Sequence, residues 1–244
     1  MTQIKDRCTI RKYSDKEVGD ELVTRLLETS CRAATMGNMQ LYSVVVTRDA
    51  RQKQLLSPLH FNQPMINAPI VLTFCADFNR FSEWCKVRDA EPGYSNFLSF
   101  INAMSDTLLF TQAFCTLAEE AGLGTCYLGT TVYNPQGIID VLKLPKLTFP
   151  IATICVGWPA ESPSQPDRLP IEGIIHKEEY KDYSQEMLDK IYAYKESLSE
   201  NEEFVKINGK STLAQVFTDC RYRKEDNEMM SNGMLEALKR QGFL

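Results

Sequence analysis

Histidine is scarce in this 244-residue chain, which has only His60 and His176, and none of its eight cysteines forms a Cys-x-x-Cys pair. Neither histidine lies near a cysteine or carboxylate at metal-ligand spacing, which argues against a structural zinc site. The same scarcity counts against a Ser-His-Asp or Cys-His hydrolase, and no Gly-x-Ser-x-Gly elbow is present. Cys8, Cys31, Cys75, Cys85, Cys115, Cys126, Cys155 and Cys220 are scattered, most of them in apolar runs such as Phe74-Cys75-Ala76. They read as reduced thiols, small hydrophobes rather than bridges. Basic excess is also lacking: 27 Lys and Arg face 32 Asp and Glu, a net charge of -5, which argues against a dedicated nucleic-acid binder. No apolar run reaches membrane-spanning length, and the first twenty residues are polar and charged, unlike a signal peptide; a cytoplasmic protein is expected. No internal repeat or low-complexity tract is visible. What remains, 43% hydrophobic and 24% charged, is ordinary for a soluble globular protein with one large domain or two small ones.

Local charge is concentrated at the start. Arg7-Cys8-Thr9-Ile10-Arg11-Lys12-Tyr13 puts three cations into seven residues. If this stretch is extended, Arg7, Thr9, Arg11 and Tyr13 share one face. Arg offers a planar fork of donors that matches a phosphate, and Thr adds a hydroxyl. A solvated basic arm fits the same composition, so both readings stand at this point.

Farther along, Ser14-Asp15-Lys16-Glu17 supplies caps for a helix through Leu22, Leu26, Leu27 and Cys31. Residues 42–47 read as a strand, residues 51–56 as a short helix and residues 60–67 as irregular. The near-continuous apolar run from Ala68 to Cys75 predicts a strand covered on both faces. From about residue 95 to residue 121 there is no Pro or Gly, and apolar residues recur at helical spacing. This predicts one helix of roughly 40 Å. Its apolar positions are too widely spread for one stripe, so it is expected to be buried on several sides and able to carry a subunit interface. Gly122-Leu123-Gly124-Thr125-Cys126-Tyr127-Leu128-Gly129 superficially resembles a dinucleotide-binding glycine fingerprint, but it leaves a helix and enters a strand, the reverse of a Rossmann loop. Gly122 and Gly124 are read instead as helix-terminating residues with left-handed geometry. Asn134-Pro135 opens another short helix, residues 150–158 form a further buried strand, and residues 161–170 form a Ser- and Pro-rich loop containing Arg168. Two helices are expected near residues 184–198 and 227–241. The expected division is a core over residues 1–177 and a helical extension over residues 178–244, packing on the core or on a partner subunit.

Three separated pieces carry a resemblance: Arg7-x-Thr9-x-Arg11-x-Tyr13, the long helix running into Gly122-Leu123-Gly124-x-x-Tyr127-Leu128-Gly129, and Gly157-Trp158-Pro159 followed by Arg168-Leu169-Pro170. Together, and with Phe74-Cys75-Ala76-Asp77-Phe78-Asn79-Arg80 and the final Lys239-Arg240-Gln241-Gly242-Phe243, they resemble the nitroreductase family over nearly the whole chain. Within it, the chain looks like the branch of oxygen-insensitive NADPH nitroreductases and NADPH-flavin oxidoreductases. The resemblance implies an α+β fold, a central mixed but mainly antiparallel sheet flanked by helices, and an intertwined homodimer with FMN at the subunit interface. It implies an FMN phosphate held by Arg7 and Arg168 with help from Thr9, Arg11 near the pyrimidine edge, and Gln63 on the polar edge of the ring. Thr35, Met36 and Gly37 would form a loop beside the cofactor, Leu128 and Gly129 would lie against ring and ribityl chain, and Cys8 and Tyr127 belong to the same two stretches.

The resemblance also implies NAD(P)H as hydride donor and nitroaromatics, quinones or free flavin as acceptors, with no protein general base. Departures are equally specific. Relatives usually carry Lys where this chain has Pro166, often His at Arg7 and often Arg at Cys8. Where they place a basic loop for the NADPH 2'-phosphate, this chain reads Glu202-Glu203-Phe204-Val205-Lys206-Ile207-Asn208-Gly209-Lys210. Only Lys206 and Lys210 could serve there, so the choice between NADH and NADPH stays open. A specialised relative such as a dehalogenase, and a non-catalytic flavin-binding or redox-sensing protein, are the alternatives.

Overall fold

Four strands, β1 (Tyr42–Thr47), β2 (Ile70–Asp77), β3 (Gly124–Leu128) and β4 (Thr148–Gly157), form one sheet in the order β1-β2-β4-β3. The structure is a computed structural model that describes residues 4–244. Each neighbouring pair of strands is antiparallel. β2 and β4 sit in the centre and are buried along their whole length, as their continuous apolar runs require.

Alternation along the strands gives the sheet two apolar faces. On one, Ile70, Leu72, Phe74, Ala152, Ile154 and Val156 pack with Phe110, Phe114 and Ala118 of the long helix α4 (Phe97–Glu120) and with Val23 and Leu26 of α1 (Asp20–Ser30). Tyr42 stacks on Phe110 at 4.2 Å between ring centroids, and Phe74 meets Phe110 edge-on at 5.4 Å. On the other face, Val71, Cys126, Leu128 and Cys155 pack with Leu56 of α2 (Ala50–Leu56), Ile66, and Ile138 of α5 (Pro135–Leu142). Cys126 and Cys155 are direct cross-strand partners, and burial raises the pKa of both thiols. All eight cysteines are free in the structure.

Several expectations shift. α1 begins at Asp20 behind Gly19, which makes no side-chain cap, so Ser14 and Asp15 cap nothing. α3 (Asn79–Lys86) was not read from the sequence. α4 is buried along one face only, through residues such as Phe100, Ala103, Asp106, Phe110 and Phe114, while Phe97, Leu98, Leu108 and Leu109 are exposed. The spread of its apolar residues therefore covers two faces, one used within the chain and one left open.

The chain divides into two compact units, Met1–Ser164 with Met230–Leu244, and Gln165–Met229. The second unit holds α6 (Gln185–Glu196), α7 (Ser199–Ile207) and α8 (Leu213–Val216), with Ile191, Leu213 and Val216 buried. α8 starts with a capping box between Thr212 and Gln215. The last helix, α9 (Lys224–Gln241), leads the chain back to the first unit, where Ala237, Leu238 and Phe243 join Phe100 and Phe149 in a third apolar cluster. Among the described residues, no helix is long and apolar enough to cross a membrane.

Candidate functional site

The N-terminal strip lies along the β3 edge of the sheet. Ile10 is buried, its amide donates to the Thr125 carbonyl at 3.0 Å, and its side chain fills the space where Gly124 lacks a Cβ. Gly122 has the left-handed φ of +84° expected of a helix terminator, but Gly124 is needed for room rather than for its backbone angle. With Ile10 turned inward, Arg7 and Thr9 bond to each other, Nη2 to Oγ1 at 3.3 Å. Arg7 Nε also lies 4.0 Å from Glu119 Oε1, which accepts from the Thr125 hydroxyl at 2.5 Å. Burial raises the Glu119 pKa, opposed by the Thr125 hydrogen bond and the Arg7 charge. Cys8 is half-buried.

Tyr13 departs from the expected anion-gripping face. Its hydroxyl is within hydrogen-bonding distance of the carbonyls of Ile10 (2.8 Å) and Cys155 (3.1 Å), and burial pushes its pKa far up. The phenol is an anchor, not a free donor. Arg11 is exposed, and its backbone amide and that of Lys12 both donate to the Glu161 carboxylate, at 2.6 and 2.9 Å. These bonds hold the carboxyl below the usual range. Arg11 lines a cavity of about 420 Å³ together with Tyr13, Pro64 and Asn67.

Beside Pro64, the Gln63 side chain donates from Nε2 to Thr130 Oγ1 at 3.3 Å, and the same oxygen lies 2.8 Å from Nδ1 of the fully buried His60. Burial lowers the His60 pKa to about 4. Thr130 follows Gly129, where an added Cβ would meet nothing within 4 Å, so this rim is open. Leu128 is buried in the core and can offer a ligand only its backbone; Tyr127 is 43% exposed. The structure thus gathers Arg7, Cys8, Thr9, Arg11, Gln63, Tyr127, Leu128 and Gly129 along one edge of the sheet.

The loop of Thr35, Met36 and Gly37 is held elsewhere. Asp106, buried in the middle of α4, accepts from the Thr35 hydroxyl (2.5 Å), the Met36 amide (2.9 Å) and the Leu41 amide (3.2 Å). Gly37 has φ of +54° and Met36 is exposed. Asp106 and Glu119 are thirteen residues apart on one helix, so the loop and the Arg7 cluster are anchored roughly 20 Å apart. Arg168 belongs to the second compact unit, where its Nη1 donates to the Asp167 carbonyl at 2.8 Å. In that unit Lys210 pairs with Asp219 at 2.8 Å.

Sequence reading passed over Asp106, His60, Thr130, Glu119 and Glu161 as parts of this arrangement. A signal existed for Asp106 alone, because a carboxylate on a buried helical stripe must have partners. The others depend on contacts between segments far apart in the chain. Among the described residues, no group of three His, Cys, Asp or Glu could hold a metal ion.

The site thus lies on an antiparallel sheet flanked by helices, with cations, an amide and an open glycine along one sheet edge. Residues 4–158 match the nitroreductase family. Over 246 residues the chain is 34% identical to an FMN reductase (NAD(P)H) of Bacillus subtilis (strain 168), covering 100% of this chain and 97% of that protein. It is 30% identical to an oxygen-insensitive NADPH nitroreductase of Salmonella typhimurium, across 96% and 94% of the two chains. A provisionally designated oxidoreductase of Bacteroides fragilis NCTC 9343 matches its structure with a TM-score of 0.99 and 64% identity over the whole of both chains. The chain belongs to the nitroreductase family.

Proposed function

We propose that this protein is a cytoplasmic, homodimeric, FMN-dependent NAD(P)H oxidoreductase that reduces nitroaromatics, quinones or free flavin. The observation that carries the reading is the placement of Arg7, Thr9, Arg11 and Gln63 along one edge of the sheet, beside the open backbone at Gly129. This donor set suits FMN: guanidinium and hydroxyl for a phosphate, an amide for an imide edge, and a glycine that lets a flat ring approach the backbone. FMN supplies the redox chemistry, hydride acceptance from NAD(P)H followed by delivery to the acceptor.

The chain's own residues bind and orient. Arg7 and Thr9 hold the phosphate, with Cys8 and Tyr127 alongside. Arg11 stabilises negative charge at the pyrimidine edge, an electrostatic role that needs no proton transfer. Leu128 contributes backbone only. Thr35, Met36 and Gly37, anchored roughly 20 Å from the Arg7 cluster by the helix that joins them, serve the site of the partner subunit. The open apolar face of α4 supports that dimer, since Leu98 is 69% and Leu109 50% exposed. Lys210 is committed to Asp219, which leaves Lys206 as the cation of the 202–210 segment for a 2'-phosphate.

Purified protein is expected to be yellow and to oxidise NAD(P)H when a nitroaromatic or quinone is added, with anaerobic NADH and NADPH titrations giving the donor preference. Arg7→Ala and Arg11→Ala should each lower bound FMN. Colourless protein that gains no activity with added FMN would sink the reading, and FMN retained in full by both variants would sink the residue assignment. Steady NAD(P)H turnover separates the enzyme from a non-catalytic flavin-binding protein.

A further inference from the structure

His60 is completely buried and the cofactor reading gives it no task, yet it sits at the inner end of a hydrogen-bonded chain that ends at Gln63. The proton positions follow from counting. Gln63 Nε2 can only donate to Thr130 Oγ1. If His60 Nδ1 also donated, the Thr130 hydroxyl proton would have no acceptor and the Nε2 lone pair would be buried without a donor. If Nδ1 accepts, the hydroxyl proton is used and only the Nε2 proton lacks a partner. The second arrangement leaves fewer orphans, while the buried Nε2 lacks a partner in either. With Gln63 Nε2 donating to a Thr130 hydroxyl whose own proton is spent on His60, the amide is held with its nitrogen inward and its oxygen outward.

The backbone between the two residues points the same way. Phe61 and Asn62, neither of them glycine, adopt left-handed φ values of +54° and +53°. Their amides tie back to Pro58 (3.1 Å) and Ser57 (2.8 Å), and the Gln63 amide ties back to His60 (3.2 Å). Strain of this kind persists only where the surroundings over-determine the chain, and it concentrates at functional sites. Here the strained pair delivers Gln63 back to the hydroxyl that His60 orients.

We propose that His60 and Thr130 are positioning residues, a buried relay that locks the Gln63 amide so that its oxygen is the group offered to an imide N–H of the cofactor. The proposal rests on the FMN reading of the site and adds to it a function for two residues behind the edge.

The test uses the FMN-loaded protein and FMN titration into the apoprotein, with visible spectra and thermal melts recorded in parallel. Thr130→Val removes the hydroxyl at constant shape. It should weaken FMN about tenfold, as should Gln63→Ala, and shift the visible band of bound FMN, with Thr130→Ser restoring affinity and spectrum. The double variant Thr130→Val/Gln63→Ala should be no worse than Gln63→Ala, because both changes cut one relay. Should Thr130→Val melt too low to assay, Thr130→Ala takes its place. Losses that multiply to about a hundredfold in the double variant, or a Thr130 variant within twofold of wild type, would overturn the relay while leaving the FMN reading intact. A wild-type protein that binds no FMN would overturn both.

Discussion

What a residue does in this protein depends on what covers it. Two carboxylates on the same helix show this: Asp106 is buried with three donors and serves as a clamp, while Glu119 is less enclosed, shares Arg7 and Thr125, and has its pKa raised by partial burial. His60 gives a measurable case. Its folded pKa of about 4 lies below the ordinary 6.5, so as pH falls the unfolded chain takes up the proton first. The stability this neutral imidazole lends is intact above about pH 6.5 and is lost as pH falls toward 4, about 3 kcal/mol in all. Urea midpoints should therefore drop between pH 7 and pH 5, and His60→Asn, which cannot titrate, should flatten that drop. Equal pH slopes in the two proteins would contradict the assignment. Arginines at positions 7 and 11 were legible as candidate anion ligands because guanidinium chemistry is local. The Tyr13 hydroxyl was misjudged because two carbonyls brought in by the fold consume it.

At the scale of elements, hydrophobic period was a good guide and capping a poor one. β1 matches its reading at both ends, and β2 and β4 lie within a few residues of theirs, since continuous β-branched and apolar runs mark buried strands. α1 starts later than Ser14 suggested, because Ser14 donates its amide to Trp158 and belongs to the strip beside the sheet. α3 and α7 escaped notice: they are short, neither has a side-chain cap from its N-cap residue, Phe78 or Leu198, and α7 buries no residue. The contact between the strip and β3 makes its own prediction. A Cβ on Gly124 would stand 2.6 Å from the Ile10 Cβ, a branched carbon close to the backbone that cannot swing aside. Gly124→Ala should cost about 2 kcal/mol and lift the strip, lowering FMN content. At Gly137 the obstacle is the mobile tip of Leu59, so Gly137→Ala should bind FMN like wild type. If the two variants lose FMN equally, the strip is not what positions Arg7 and Arg11.

The whole molecule raises the question of assembly. α4 carries apolar residues on two faces and the chain covers one, leaving Phe97, Leu98, Leu108 and Leu109 exposed. A patch of this kind marks an interaction surface. Sedimentation should give twice the 27.8 kDa chain mass for wild type, and Leu109→Asp should yield monomers that lose FMN. A wild-type monomer with full FMN would remove the dimer from the reading. By itself the sequence determined the buried strands, the long helix and the cationic strip, because each follows from short-range periodicity or local charge, while the class of fold was reached through the resemblance to the nitroreductase family. Only the tertiary structure decided that Ile10 seats the strip under Gly124, that Asp106 holds the Thr35 loop, that Tyr13 is an anchor and that His60 backs Gln63 through Thr130. Those pairings join residues tens of positions apart in the chain, and such partners are chosen by packing and by the need to satisfy buried polar atoms, neither of which leaves a periodic trace in the sequence.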